Sequence, residues 1–147
     1  DGLYNNRYSN SVMTLDTTTV CEFPFKPFLE LLEQAESLHR RFLSHICSEL
    51  LEEQEMTFLC QKSTDERVAA FLVNFSRRLQ KRQLSGVRFQ LLMTRKDIAN
   101  YLGIATETMS RVFTRFQDKG WIKIDGRDIT LADMAAIEEL AHSGWDK

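Results

Sequence analysis

The sequence lacks the features that mark membrane, secreted and catalytic proteins. It has no apolar run of about 18 or more residues, so no transmembrane helix and no membrane partner are predicted. No signal peptide opens the chain, and its three cysteines, Cys21, Cys47 and Cys60, lack zinc-like spacing. An odd cysteine number without a secretory signal favours the cytoplasm over a disulfide scaffold. No Ser/His/Asp, metal or phosphate-loop constellation is present, so we expect no enzyme.

Charge is strongly segregated beneath a net value of −2. Residues 1–60 carry 4 basic and 10 acidic side chains, residues 61–127 carry 14 and 6, and residues 128–147 carry 1 and 5. A basic central stretch is expected of a DNA-binding surface, because phosphate neutralisation supplies much of the affinity. A solvated charged surface would give the same counts, so charge alone leaves both interpretations open.

The basic stretch predicts two short helices joined by a tight turn. The first covers residues 95–102 with Thr94 as N-cap, and Gly103 gives the corner its backbone freedom. The second covers residues 106–119. Its apolar and polar residues fall on different sides, which predicts a helix-turn-helix with a polar face free to meet a DNA groove. That face holds Glu107, Ser110, Arg111 and Thr114.

Further elements are predicted on both sides of this motif. Residues 17–23 are β-branched and partly alternating, which predicts a strand, and a short helix follows over residues 28–35. Two alternating runs flank Asp-Gly at residues 125–126, which predicts a β-hairpin, and a hairpin after a recognition helix is a wing. The remaining predictions are a helix from Ser37 to about residue 61, a helix from Ser63 or Thr64, a short strand over residues 88–93 and a final helix over residues 132–140.

The long helix carries a seam with spacings of 3, 4, 3, 4 and 3, formed by Leu43, Ile46, Leu50, Glu53, Thr57 and Cys60. Such spacing is typical of a coiled coil. A helix of about 24 residues is long for a domain of this size, which favours a dimer seam. The alternative is an amphipathic helix packed wholly within one chain. Glu53 would approach its own copy in a symmetric dimer unless it tilts to solvent.

Several short segments, in this order, are specific: VCEFPF at 20–25, ERVAAF at 66–71, SRR at 76–78, MTRKDI at 93–98, YLG at 101–103 and ETMSR at 107–111. With them the chain resembles the CRP/FNR family of bacterial transcription regulators, and most of all its oxygen-responsive FNR branch. The resemblance implies an α+β fold with the last strands of an N-terminal β-roll sensor domain, a dimerisation helix and a C-terminal winged helix-turn-helix domain. These would cover residues 1–36, 37–61 and 62–147. Because the chain opens with Asp in mid-domain, we expect a fragment.

The resemblance also implies a homodimer on palindromic DNA, TTGAT-N4-ATCAA, and RNA polymerase as a partner near residues 82–89. Glu107, Ser110 and Arg111 match base-reading positions. Arg can donate two hydrogen bonds to guanine and Glu can accept one from cytosine, whereas the alternative is a surface ion pair. Positions that match phosphate contacts are Thr94, Arg95, Lys96, Thr106, Thr108, Gly126 and Arg127.

Cys21 matches the internal cysteine with which FNR-branch proteins hold an oxygen-labile [4Fe–4S] cluster. The other three ligands come from an N-terminal cysteine cluster that this chain lacks, and a buried structural cysteine is the alternative. Glu52 and Glu53 replace the Thr-Ser pair of the cyclic-nucleotide branch, which argues against that effector. Glu53 matches an acidic position that opposes dimerisation until the cluster is bound. The sequence is also compatible with a cluster-free family member, a sensor of heme or nitric oxide, and a winged helix used only in protein contacts.

Overall fold

The computed structural model describes residue 7 and residues 11–59 and 62–143, apart from the side chains of residues 52, 53 and 55–59. No helix in these ranges is long and apolar enough to cross a membrane. The elements are, in chain order, α1 Phe25–Gln34, α2 Glu36–Leu59, α3 Thr64–Lys81, β1 Arg88–Gln90, α4 Arg95–Leu102, α5 Thr106–Asp118, β2 Ile122–Asp125, β3 Asp128–Leu131 and α6 Met134–His142.

The predicted strand over residues 17–23 is wrong, because residues 17–24 contain no regular element. A strand is held by main-chain hydrogen bonds to a neighbour, and no described residue supplies one to this stretch. Local bonds form instead. The Thr17 N–H donates to Asp16 Oδ1 at 2.7 Å, and the Thr18 hydroxyl donates to the Asp16 carbonyl at 2.9 Å. Such short-range bonds compete with pairing in a sheet.

Helix α1 begins three residues before its predicted start. Pro24 is its N-cap and Pro27 lies in its first turn, where the missing N–H would have had no helical partner in any case. After Ala35 the chain continues into α2, and the rings of Phe28 and Phe42 meet edge to face with centroids 5.2 Å apart. This aromatic contact fixes α1 against the first half of α2.

The seam of α2 is exposed where its side chains are described. Leu43 and Leu50 are 51% and 58% exposed, and Ile46 is half-buried. The side chains of Glu53 and Thr57 lie outside the described residues, as does Cys60. A helix packed wholly within one chain would bury this stripe, so the exposed leucines favour the intermolecular interpretation, which stays a prediction.

The three strands form an antiparallel sheet in the order β1-β3-β2. Asp125 pairs with Asp128, so Gly126 and Arg127 alone form the turn of the predicted hairpin, which is confirmed. Gly126 has a φ of 58°, and it is the only one of the two turn residues with a positive φ. A glycine with positive φ at the first turn position suits a type II′ turn, whose twist matches that of the strands.

The core lies between α3, the helix pair α4–α5, the sheet and α6. Ser63 and Glu66 form a capping box that starts α3, at one of the two predicted starting positions. The α+β class and the C-terminal winged helix-turn-helix are therefore confirmed. The largest fully buried side chains are Phe116, Leu72, Ile98, Met109, Ile122, Ile129, Ile137, Val68, Val73, Val112 and Ser76.

Candidate nucleic-acid interface

Thr94 is the N-cap of α4, as predicted, and it forms a reciprocal box with Asp97. Its hydroxyl accepts the Asp97 N–H at 3.1 Å, while its own N–H and hydroxyl donate to Asp97 Oδ2 at 3.0 and 2.6 Å. These hydrogen bonds, the side-chain one first, lower the pKa of Asp97. The N–H and the hydroxyl of Thr94 thus both donate to Asp97, and a hydrogen bond from either to a phosphate would have to replace one of these bonds.

Gly103 turns the chain from α4 towards α5. Its φ of 63° lies in the left-handed region, and its N–H bonds back to the carbonyl groups of Ala99 and Asn100. Ala99 and Ile98 are fully buried where the two helices meet. The apolar side of α5 is also buried, with Phe113 2% exposed, so its opposite side is held outward.

The outward side of α5 carries the predicted base-reading residues. Glu107, Ser110 and Arg111 are all exposed. Among the described residues the side chains of Glu107 and Arg111 have no ion-pair or hydrogen-bond partner, so the surface ion pair considered as the alternative is not formed. The Ser110 hydroxyl donates to the Thr106 carbonyl at 3.1 Å. Its oxygen can still accept a hydrogen bond, because a hydroxyl has two lone pairs.

The N-terminus of α5 has no side-chain cap. Its N-cap is Ala105, with φ −69° and ψ 145°, whereas α3 and α4 are capped by Ser63 and Thr94. The first amide groups of α5 therefore lack a side-chain acceptor. Uncapped amides and the positive end of a helix dipole suit a phosphate oxygen, which agrees with the predicted roles of Thr106 and Thr108.

The tip of the hairpin and the start of α4 meet in one place. Thr94, Arg95, Gly126 and Arg127 line a single pocket of about 170 Å³ together with residues of the connecting segment. The Leu91 N–H donates to the Arg127 carbonyl at 2.9 Å, which joins the hairpin turn to the chain that leads into α4. Four predicted phosphate positions, drawn from two distant stretches of sequence, thus form one surface.

Arg95 has a second contact that the sequence did not reveal. Its Cζ lies 3.9 Å from the centroid of the Phe113 ring on α5, and the side chain is half-buried. Burial lowers the pKa of the guanidinium, which still stays charged because arginine starts so high. Arg95 therefore holds α4 to α5 as well as lying at the pocket, while its neighbour Lys96 is exposed.

The model of the Crp-like helix-turn-helix domain matches residues 66–140 of this chain. The chain belongs to the CRP/FNR family of transcription regulators. Within this family its similarity is to the FNR branch. The Transcriptional activator protein anr of Pseudomonas aeruginosa is 43% identical over 141 residues, which cover 95% of this chain and 58% of that protein. The Fumarate and nitrate reduction regulatory protein of Escherichia coli is 36% identical over 142 residues, covering 96% and 57%.

Solved structures agree with the placement in the CRP/FNR family. FixK2 from Bradyrhizobium japonicum superposes with a TM-score of 0.63 at 32% identity, covering 76% of this chain and 57% of that one. A CooA mutant from Carboxydothermus hydrogenoformans gives a TM-score of 0.67 at 21% identity, which supports the fold alone. The chain thus spans three fifths or less of the length of these relatives. The family and these relatives are transcription regulators, not enzymes.

Cys21 is the residue that the sequence predicts as a ligand of an iron–sulfur cluster. It is a free and exposed thiol, so the alternative of a buried structural cysteine is not what the structure has. In the described ranges no group of three or more His, Cys, Asp or Glu side chains could hold a metal ion. An iron–sulfur cluster of this kind needs four ligands, so the described residues do not make a cluster site.

Proposed function

We propose that this chain is part of a cytoplasmic, sequence-specific DNA-binding regulator that activates genes under anaerobic or low-oxygen conditions. Its parts would be a sensor-domain remnant at residues 1–36, a dimerisation helix at 37–61 and the DNA-binding domain at 62–147. The observation that carries the proposal is the exposed, unpartnered Glu107 and Arg111 on α5. The names of the relatives, such as the Anaerobic regulatory protein of Pasteurella multocida, support the oxygen-linked role.

Base reading would use one face of α5 in the major groove. Glu107 and Arg111 are four residues apart and both exposed, so they can meet the same base pair. The Arg111 fork donates to guanine O6 and N7 while Glu107 accepts from the cytosine N4 amino group. Ser110, one residue before Arg111, would donate its hydroxyl to thymine O4 in exchange for its bond to the Thr106 carbonyl. These three contacts fit the G·C pair and its neighbour in a TTGAT half-site.

Phosphate contacts would lie in two places. One is the uncapped amides of α5 with Thr106 and Thr108, and the other is the pocket between the start of α4 and the turn at Gly126 and Arg127. Arg127 is exposed at this turn, and Lys96 is exposed on the first turn of α4. Such contacts would fix the orientation of α5 without reading sequence.

A palindrome requires two copies, and α2 would supply the contact between them. Leu43 and Leu50 are exposed leucines one heptad apart, which suits a parallel pair of helices. Glu53 continues the same stripe in sequence, so two copies would repel each other in the dimer. Two recognition helices held this way would lie about one turn of DNA apart, roughly 34 Å.

Oxygen control belongs to the proposal for the longer protein. Cys21 would be one of four ligands of a [4Fe–4S] cluster, with the others outside this chain. Cluster binding would offset the repulsion at Glu53 and so select the dimer. The alternatives are a regulator without a cluster and one that responds to heme or nitric oxide. RNA polymerase would contact residues 82–89, which are the loop after α3 and the first two residues of β1 and where Leu84 and Val87 are exposed.

Base reading can be tested with a pair of arginine variants. Arg111→Ala should weaken binding to TTGAT-N4-ATCAA by about 1–3 kcal/mol and relax discrimination at one base pair. Arg127→Ala should weaken all sequences alike and reduce the salt dependence of binding. Fluorescence anisotropy separates the two effects when it is measured on the palindrome, on a palindrome whose G·C pair is replaced in each half-site, and on random DNA. Normal binding of the palindrome by Arg111→Ala would refute the assignment, and absence of DNA binding by the parent would favour a role in protein contacts.

Oxygen control can be tested on the full-length protein purified without air. We expect iron and visible absorption in the parent, their loss in Cys21→Ser and their retention in Cys47→Ser, the matched control on α2. Glu53→Ala should sediment as a dimer in air, because the repulsion between the two copies is removed. Parent protein without iron would favour the cluster-free alternative, and a heme spectrum would favour the heme sensor. A monomeric Glu53→Ala would remove the proposed switch.

A further inference from the structure

An ion pair joins the recognition helix α5 to the first turn of α3. Arg115 Nε lies 3.2 Å from Asp65 Oδ2, and Arg115 Nη2 bonds to Asp65 Oδ1, so the guanidinium grips the carboxylate with two parallel hydrogen bonds. The two side chains are 46% and 31% exposed. A two-pronged arginine–carboxylate pair fixes direction as well as distance, which a single-point contact does not.

Sequence spacing alone would assign Arg115 to DNA. It lies four residues after Arg111 and eight after Glu107, so it extends the same helical stripe towards the C-terminus of α5. In the structure its guanidinium turns instead to Asp65, which is 50 positions away in sequence. Both charges of the pair are thereby used within the protein, while Glu107 and Arg111 are left free to bind bases.

Asp65 belongs to a short stretch that bonds to α4 and α6 as well as to α5. The Arg67 guanidinium donates to the Leu102 carbonyl at the end of α4 at 3.3 Å. Glu66 Oε1 accepts the Ser143 hydroxyl after α6 at 2.6 Å, and Lys62 Nζ donates to the Ala141 carbonyl. This stretch, residues 62–67, follows the end of α2 closely in the chain. We call it the junction.

We propose that Arg115 is a positioning residue that holds α5 to the junction through Asp65, so that the junction sets the direction of the base-reading side chains. This inference rests on the proposed function. It assigns Arg115 to the protein rather than to phosphate, and it gives Asp65 a role in DNA recognition although it is acidic. The pair joins the reading helix directly to the segment that follows the dimerisation helix.

The direction in which one substitution changes DNA affinity distinguishes this role from simple electrostatics. Asp65→Asn removes a negative charge from a DNA-binding chain, so repulsion alone predicts tighter binding to every sequence. The positioning role predicts weaker binding to the TTGAT palindrome, by about two- to fivefold per half-site, and reduced discrimination at its G·C pair. Arg115→Gln should cause the same loss without lowering the salt slope, whereas loss of a phosphate contact would lower the slope by roughly one.

The double variant Asp65→Asn/Arg115→Gln provides the thermodynamic cycle. If the two residues act only through each other, it should bind no more weakly than either single variant. The matched control is the pair Arg77 and Glu138, which joins α3 to α6 rather than to α5, at 3.6 Å and with similar exposure. Arg77→Gln/Glu138→Gln should leave discrimination at the G·C pair unchanged.

Hydrogen exchange of the free protein supplies a measurement without DNA. In Asp65→Asn and in Arg115→Gln the amides of α5 should exchange faster, with those of β3 unchanged. Unchanged exchange in α5, tighter palindrome binding by Asp65→Asn, or additive losses in the double variant would each overturn the positioning role. If the parent protein failed to prefer the palindrome, the proposed function would fall, while faster exchange in α5 would still support the anchor between Arg115 and the junction.

Discussion

The uncapped start of α5 gives a prediction in which stability and DNA binding change in opposite directions. Ala105 is exposed and already has the backbone conformation of an N-cap, with φ −69° and ψ 145°. A serine or aspartate there needs no backbone change to accept an N–H from the first turn of α5. We expect Ala105→Ser and Ala105→Asp to stabilise the fold by about 1 kcal/mol each, with slightly more for the aspartate from the helix dipole.

The two variants should differ in DNA binding. Aspartate puts a negative charge where we propose a phosphate, and two unit charges roughly 4 Å apart repel by about 1 kcal/mol even in water. Ala105→Asp should therefore bind the palindrome about fivefold more weakly per half-site than Ala105→Ser, at a similar free energy of unfolding. The difference should shrink as salt is added.

Chemical denaturation and fluorescence anisotropy measure the two effects on the same samples. Thermal unfolding checks the gain in stability, since 1 kcal/mol should raise Tm by about 4–8 °C for a domain the size of residues 62–147. Equal DNA affinity of the serine and aspartate variants would show that the start of α5 does not face phosphate. A failure of both variants to stabilise the free chain would refute the account of the missing cap.

Two further predictions concern α4. Asp97→Asn should lower stability at neutral pH, because the hydrogen bonds from Thr94 lower the pKa of Asp97 and so favour its charged form in the folded state. The difference from the parent should fade as the pH falls below about 4, since the folded carboxylate then takes up a proton. Unfolding curves measured across this pH range test the prediction. Arg95→Ala should destabilise the free chain by about 0.5–1 kcal/mol through lost stacking on Phe113, with Lys96→Ala as the unchanged control. Equal stability of these two variants in urea would mean that Arg95 has no structural role.

Local signals in the sequence predicted most of the DNA-binding half. Thr94 as an N-cap, Gly103 at the corner and the Asp-Gly step at residues 125–126 each specify structure through neighbours within a few positions. Element bounds were less accurate, since α1 starts at Phe25 rather than residue 28. Pro27 lies in the first turn of α1, where a proline is compatible with a helix, so this proline does not mark where the helix begins.

Contacts between distant residues could not be predicted in this way. The pairing of Arg115 with Asp65 and the stacking of Arg95 on Phe113 depend on how helices cross, which no spacing within one helix reveals. The predicted strand at residues 17–23 failed for a related reason. Its β-branched composition permits a strand, but only a neighbouring strand can create one.

The hydrogen bond from Leu91 to Arg127 has a consequence for the DNA itself. It joins the hairpin turn to the segment that enters α4. A second bond, from the Leu131 N–H to the Val87 carbonyl at 2.8 Å, joins β1 and β3 at their other end. The proposed phosphate contacts of the hairpin turn and of the start of α4 are then held at a fixed separation within their shared pocket. DNA must supply phosphates at that separation, so sequences that bend or narrow easily would bind at lower energetic cost. Base pairs that no side chain touches would in this way contribute to the choice of site.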